Sequence, residues 1–396
     1  MLQKAFIPYG GYYSSPFSRW QGTLANENAI TLGAATAKRW FEEKRWDPKI
    51  FDYVFLGITV HQPHGFYGGP WAAALMGADG VPGLLVSQAC STSTVAIYHA
   101  SVGVETGLYQ TPFCLMTDRC SNGPHAVWPN PMGPGGEVIS ENWLMDNFNK
   151  DPWAGAAMIK TAENVASEAG ITREQCDAVA LRRYEQYQDA LADDRAFQKR
   201  YMFPVEVTVS KKKTVMVEAD EGVMESTAEG LARLRPVLPD GVHTFGAQTH
   251  PADGNCGITI TTRDKAKELS SDPNIEVQVI SYGYAREKPA FMAAAVYPSV
   301  KMALENAGIG ANDVSVIKTH NPFAANDIHL ADNLGIDVNT MNNYGSSLVY
   351  GHPQGPTAGR LIIEGIEETA MKGGGYMLFA GCAAGDTAAA LVIKVG

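Results

Sequence analysis

The sequence predicts an α/β protein built from two related halves with an insertion between them. Short apolar strand candidates alternate with helical stretches of about 10 to 15 residues, the order expected of βαβ units around a buried, largely parallel sheet. A stretch rich in Pro, Gly, Asn and Trp, from Cys120 to Asp151, breaks that alternation. An order of strand, Cys and small residues recurs near positions 90 and 382. Together these give two related halves with an insertion over about 120–250.

In chain order, Thr31–Glu43 reads as an amphipathic helix and Phe51–Gly57 as an apolar strand. Gly83–Ser87 is a second strand running into Cys90, followed by a helix over Thr94–Val104. Phe113–Thr117 is a third strand, after which Cys120–Asp151 reads as an irregular surface excursion. Helices are predicted over Ala154–Ala169 and Arg173–Ala192, the second capped by Thr172. Beyond His250 the alternation resumes with strands Gly257–Ile260 and Glu276–Ile280, helix Met292–Ala307 and strand Val314–Ile317. Strands Tyr376–Ala380 and Ala388–Val395 close the chain.

Composition narrows the classes of function. At 396 residues, two or three domains are expected. A net charge of −11 argues against a nucleic-acid surface, and the Lys211-Lys212-Lys213 run reads as a solvated segment. The six cysteines form no CxxC pair, so reduced thiols are expected rather than disulfides or a metal knuckle. The first residues lack the apolar core of a signal peptide, and no stretch reaches the roughly 20 apolar residues of a bilayer span. A cytoplasmic protein without membrane or nucleic-acid partners is the expectation.

Three segments place reactive side chains among small neighbours: Gln88–Ser93, Gly351–Thr357 and Ala380–Gly385. Cys90 stands where a strand gives way to a helix, and free N–H groups at the helix start favour a thiolate there. A small buried Cys also suits a packed core, and the segment alone leaves both readings open. His352 lies in a Gly- and Pro-rich segment that would form a fixed loop, which suits a base held at one distance from a thiol. Cys382 opens Ala383-Ala384-Gly385, a turn able to aim backbone N–H groups at an oxyanion. Asn321, before Pro322, could orient a water or simply form a turn.

Taken together, these segments resemble the thiolase family. Ser15-Pro16-Phe17-Ser18 and Gly22-Thr23-Leu24 look like its opening motif, and Cys90 matches its acylated cysteine. Thr161-Ala162-Glu163-Asn164, Asp220-Glu221 and Leu231–Pro236 are similar to its loop-domain segments, which ketoacyl synthases lack. The resemblance implies a five-layer α-β-α-β-α fold. Its N-terminal half would comprise residues 1–119 plus 251–272, its loop domain over coenzyme A 120–250, and its C-terminal half 273–396.

By the same resemblance, Cys90 is the nucleophile and His352 its base, and Cys382 moves the α-carbon proton. Asn321 holds a water in the first oxyanion hole with His352. The backbone N–H groups of Cys90 and Ala384 form the second, and Thr249 contacts coenzyme A. The implied reaction is ping-pong thiolysis of a 3-oxoacyl-CoA, with coenzyme A as co-substrate and neither metal nor resident cofactor. A homodimer or tetramer is also implied.

Several positions depart from the family pattern. Gly345-Ser346 replaces a Gly-Gly, and Ala383-Ala384-Gly385 a glycine triplet, with Asp386 bringing a carboxylate nearby. His320-Asn321-Pro322-Phe323 stands for Asn-Glu-Ala-Phe, and Met116-Thr117-Asp118-Arg119 for a Gly-Gly run. Trp128, Trp143, Phe148 and the segment His61–Pro70 are candidate walls of a pocket for a bulky or aryl acyl chain, or packing within the loop domain. These departures look most like the group containing benzoylsuccinyl-CoA thiolase of toluene degradation, which works with a small zinc-ribbon/OB-fold partner. The alternatives are a C–C bond-forming enzyme similar to acetoacetyl-CoA or hydroxymethylglutaryl-CoA synthases, and a catalytically silent scaffold subunit.

Overall fold

The computed structural model describes residues 1–210 and 213–396, so Lys211 and Lys212 of the lysine run lie outside the described residues. Two mixed sheets organise the chain. The N-terminal sheet runs in the order Tyr12–Ser14, Ala252–Thr259, Pro112–Arg119, Tyr53–Gly57, Gly83–Val86. The C-terminal sheet runs Phe6–Ile7, Val277–Arg286, Thr387–Val395, Gly375–Ala383, Val314–His320. Phe6–Ile7 thus crosses to the opposite half, pairing antiparallel with Val277 and Gln278.

The halves repeat one path. In each, the first strand lies beside the last, the last beside the penultimate, and the penultimate parallel to an earlier strand. The insertion occupies the connection between penultimate and last strands of the N-terminal half, where the C-terminal half has only the turn at 384–386. This repeat corrects the expected echo between Cys90 and Cys382. Cys382 corresponds to the end of Pro112–Arg119, while the counterpart of Cys90 is His352, since each precedes a helix of the central layer.

Those central helices are Thr92–Thr106 and Gln354–Met371, packed on each other and on both sheets. Helix Ala29–Lys44, N-capped by the Asn28 side chain, covers the outer face of the N-terminal sheet. Helix Val296–Ala307 covers the outer face of the C-terminal one. The result is the five-layer α-β-α-β-α fold.

Most expected elements are present with shifted ends. Cys120–Asp151 is more ordered than expected: His125–Pro129 pairs with Val138–Asn142 as a hairpin, followed by a short helix at Met145–Asn149. The helix expected from Ala154 begins at Met158, and Arg173–Arg195 opens with a capping box between Thr172 and Gln175. Gly375–Ala383 runs further than expected, so Cys382 lies within a strand, opposite Ala388, rather than in a turn.

Helix Gln354–Met371, not foreseen from its glycines, is buried along every residue from Gln354 to Thr369. Gly359 permits this, because a Cβ there would lie 2.4 Å from the Cys256 sulfur. Burying charge requires pairing it. Arg360 grips Asp220 through two bonds of 2.6 and 2.9 Å, reaches Glu364 at 2.9 Å and lies 3.7 Å from the Tyr350 ring centre. Glu364 also receives Tyr201, and Glu367 receives Tyr9, Tyr12 and Arg200.

The insertion is fastened by the same means. Asp220 ties it to the central helix, and Arg183 meets Asp327 at 2.9 Å with both side chains fully buried. Glu163 accepts from the backbone N–H groups of Val242 and His243.

Removing one partner of a buried ion pair leaves the other charge uncompensated, at about 3–5 kcal/mol. Arg360→Met should therefore lower unfolding stability by about that amount in urea titrations; a loss below about 1 kcal/mol would contradict this account.

Candidate active site

Strand Gly83–Val86 ends in a tight elbow before the helix at Thr92. Gln88 donates its N–H to the Thr92 hydroxyl at 2.8 Å, and Ser91 returns an N–H to the Gln88 carbonyl. Ala89 takes a left-handed φ of 43°, a strained conformation for a residue with a Cβ. The elbow presents Cys90, partly exposed, at the floor of a cavity of about 440 Å³.

His352 comes from the other half. Its approach requires Gly351, at φ 90°, where a Cβ would meet His250 at 2.8 Å and Ala252 at 2.9 Å. Asp118 holds the loop from the far side, accepting from the N–H groups of Gly355 at 2.6 Å and of Thr59 and Val60 at 2.9 Å. The unusual Met116–Arg119 stretch thereby fastens the His352 loop to the N-terminal sheet. Burial pushes the Asp118 carboxyl up to about 6 against those donors.

His352 Nε2 lies 3.1 Å from Cys90 Sγ, and its Nδ1 lies 2.6 Å from Thr357 Oγ1. The Thr357 hydroxyl spends its proton on the Pro353 carbonyl at 2.6 Å, so its oxygen must accept from Nδ1–H. In the neutral ring that assignment leaves Nε2 as a bare acceptor facing the thiol. Burial pushes the Cys90 thiol up to about 12, opposed by the N–H groups of Ala384 and Cys90 itself. Burial, with neighbouring His320 and His250, pulls the His352 imidazole well below its usual range. The resting pair is therefore neutral: thiol donor, imidazole acceptor.

Asn321 does not join this pair. Its side-chain amide donates to Asp327 at 2.7 Å, and its carbonyl accepts from Ser347 and Leu348 at 3.3 Å. It braces the segment after strand Val314–His320, with its amide turned to Asp327 rather than to the thiol. The preceding residue lies beside the pair instead. The His320 ring stacks on His352, with centres 4.0 Å apart, and its Nε2 is buried without a partner. Its Nδ1 lies 2.8 Å from the Ser347 hydroxyl, whose one proton goes either to the Asn321 carbonyl, leaving Nε2 bare, or to Nδ1, placing the ring proton on Nε2. Reading the motif from Phe323 backwards would have placed His320, rather than Asn321, at the family's asparagine.

Among the described residues, Cys90, His320 and His352 also have donor atoms within 4.8 Å of one another, which makes them the group able to hold a soft metal ion. Their rings are near-parallel, at 30°, and direct their nitrogens side by side, which suits acid–base partners better than tetrahedral ligation.

The remaining expected residues are distributed as follows. Cys382 is fully buried beside Cys90, and the Asn326 amide donates to its sulfur at 3.2 Å. Ala384 lines the cavity. Asp386 is not aimed at the thiols, because its two oxygens accept from the N–H groups of Ala290 and Phe291 at 2.9 Å. Thr249 lines the cavity while its hydroxyl donates to the Ser347 carbonyl at 2.5 Å.

The cavity wall is mainly apolar, formed by Met145, Phe148, Met158, Ile159, Phe245, Met292 and Phe323 with Asn149, Gln248 and Thr249. Of the expected aromatic wall, Phe148 is present. Trp143 instead packs on His61, with ring centres 4.3 Å apart, and Trp128 stands half-exposed on the hairpin. The segment His61–Pro70 turns outward, leaving Phe66 92% exposed.

A thiol paired with an imidazole beneath an apolar cavity, with a second thiol behind it, is chemically equipped for acyl transfer. Comparison with known proteins agrees. Residues 11–264 match the thiolase N-terminal domain and residues 274–395 the thiolase C-terminal domain. The chain is 25% identical over 385 residues to human mitochondrial 3-ketoacyl-CoA thiolase, covering 96% of each chain. It is 28% identical over 384 residues to acetyl-CoA acetyltransferase of Escherichia coli K12, covering 95% of each. Among solved structures, acetyl-CoA acetyltransferase of Bacillus anthracis superposes with a TM-score of 0.91 at 25% identity, over 100% of this chain and 99% of that one. Human mitochondrial 3-ketoacyl-CoA thiolase in complex with CoA gives 0.89 at 24% identity, over 100% and 98%. The chain belongs to the thiolase family and is an acyltransferase.

Proposed function

We propose that this enzyme cleaves 3-oxoacyl-CoA esters with coenzyme A, by ping-pong acyl transfer through Cys90, in a degradative direction. The single observation that carries this is the 3.1 Å contact between Cys90 Sγ and the bare His352 Nε2 at the floor of the cavity.

His352 takes the thiol proton as Cys90 sulfur bonds to the 3-keto carbon. The resulting alkoxide lies against His352 Nε2–H and, once the Ser347 hydroxyl turns from the Asn321 carbonyl to donate to His320 Nδ1, against His320 Nε2–H. The Cα–Cβ bond then breaks, its electrons passing to the enolate of the departing thioester. That enolate oxygen rests on the N–H groups of Cys90 and Ala384, and the Cys382 S–H protonates its α-carbon. Coenzyme A next gives its thiol proton to the Cys382 thiolate and attacks the acylated Cys90. His352 returns its proton to the Cys90 sulfur as that bond breaks, restoring both thiols. Thr249 and Gln248, on the cavity wall, are placed to meet the pantetheine arm.

The apolar wall supports a bulky, neutral acyl group, aryl or branched, such as the benzoyl group released from benzoylsuccinyl-CoA. The free carboxylate of that substrate finds no Lys or Arg among the described residues of the wall and would rest on Asn149 or Thr249. A second copy of the chain is the partner best supported, because Leu84 and Leu85 lie over one-third exposed on the edge strand Gly83–Val86. A small zinc-ribbon/OB-fold partner belongs with the benzoylsuccinyl reading, and the apolar hairpin bearing Val127, Trp128 and Ile139 would offer it a surface. A cytoplasmic site of action is supported by six unpaired cysteines. Among the described residues, no helix is long and apolar enough to cross a membrane.

Two experiments test this reading. His320→Ala should lower kcat by about 10²–10³-fold, the usual cost of one oxyanion donor, while Asn321→Ala should lower thermal stability with a far smaller kinetic effect; the opposite ranking would restore Asn321 to the oxyanion hole. Across a thiolysis panel, aryl and branched 3-oxoacyl-CoA esters should give higher kcat/KM than acetoacetyl-CoA, and a preference for acetoacetyl-CoA would overturn the substrate assignment.

A further inference from the structure

Behind the reaction centre, one buried amide stands out. Asn326 lies in the first turn of helix Ala324–Leu334, only 2% exposed. Its Nδ2 donates to Cys382 Sγ at 3.2 Å, while its Oδ1 is buried with no partner. Leaving an amide oxygen unpaired in a dry interior is costly, and such orphans call for an explanation. Next in sequence, Asp327 has both oxygens engaged, one by Thr319 and the other by Arg183, Asn321 and Asn342. Asn326 therefore sits on a rigid base, with Cys382 as its one side-chain hydrogen-bond partner among the described residues.

We propose that Asn326 is the positioning residue for the Cys382 proton shuttle, its amide serving the sulfur in both protonation states. With Nδ2 toward the sulfur, the amide donates to the thiolate formed when Cys382 gives up its proton. It also occupies that side of the sulfur, so that any S–H is turned away from helix Ala324–Leu334. Rotated by half a turn, the same amide offers Oδ1 as an acceptor for the S–H, which gives the orphan oxygen its use. Cys382 needs such a partner. Burial and the neighbouring Cys90 thiol both oppose its thiolate, and Asn326 is the side chain that counteracts them. A carboxylate at 326 could not donate to the thiolate, and a methyl group could do neither.

This inference rests on the proposed role of Cys382 in moving the α-proton. The test separates two half-reactions: acylation of Cys90 by an activated acyl-CoA, followed by mass spectrometry, and deuterium exchange at the α-carbon of acetyl-CoA in D₂O. Asn326→Ala should slow exchange by about tenfold to a hundredfold, the worth of a hydrogen bond to a charged group. It should also move the rising limb of the exchange profile to higher pH, with Cys90 acylation within about twofold of the parent. Asn326→Asp, close to isosteric, should slow exchange at least as much. Should the alanine variant fold poorly, it carries the test.

Cys382→Ala is measured in parallel and should abolish exchange. Full exchange in that variant removes Cys382 from its role, and the inference about Asn326 with it. Loss of exchange in Cys382→Ala, with parental rate and pH profile in both Asn326 variants, overturns the inference about Asn326 alone. So does a parallel fall of acylation and exchange, which marks a merely structural residue.

Discussion

The proposed chemistry depends on one contact made across the whole chain, with Cys90 Sγ and His352 Nε2 3.1 Å apart although 262 residues separate them in sequence. Each lies just ahead of one of the two central helices, so the contact exists because those helices pack in the middle layer between the sheets. Its chemical sense is set by Thr357, whose hydroxyl is committed to the Pro353 carbonyl and can only accept from His352 Nδ1–H. Burial then keeps both partners uncharged at rest. An ion pair at this depth would be costly to desolvate, and a neutral thiol beside a bare nitrogen avoids that cost until substrate arrives.

The central layer is held by charge as much as by apolar packing. Helix Gln354–Met371 begins two residues after His352 and carries Arg360, Glu364 and Glu367 into the interior. Their partners come from the insertion, from the N-terminal tyrosines and from strand Val314–His320. Asp220 is decisive here, since it connects the inserted region to the helix that follows His352. The region that roofs the cavity and the loop that carries His352 therefore share one ionic lattice. Displacing either would leave buried charges unpaired, which explains how a mobile-looking insertion is kept in register with the site.

The alternating strands and helices, the elbow at Cys90 and the glycine before His352 were legible in the sequence, because continuous apolar runs and small residues leave direct local traces. Three features were not. Helix Gln354–Met371 hides behind Gly355, Pro356, Gly359 and Gly365, residues that suit a loop locally but here allow close helix–sheet contact. His320 and Asn321 differ by one position, and only the stack on His352 shows which faces the thiol. The third is Asp386, whose carboxylate reads as a catalytic neighbour until Ala290 and Phe291 are seen to occupy it. Such features are decided by tertiary partners far away in the chain, and local composition carries no trace of them.

The central claim is that the Cys90–His352 pair rests as neutral thiol and neutral imidazole, with the proton of His352 on Nδ1. The most direct measurement is ¹⁵N NMR of the His352 ring in the free enzyme at neutral pH, with Cys90→Ser and His352→Gln variants to assign the signals. The account predicts one protonated nitrogen, Nδ1, and a bare Nε2, unchanged as pH is lowered from 8 to 6. Two protonated nitrogens over that range, the signature of a resting thiolate–imidazolium pair, would contradict it.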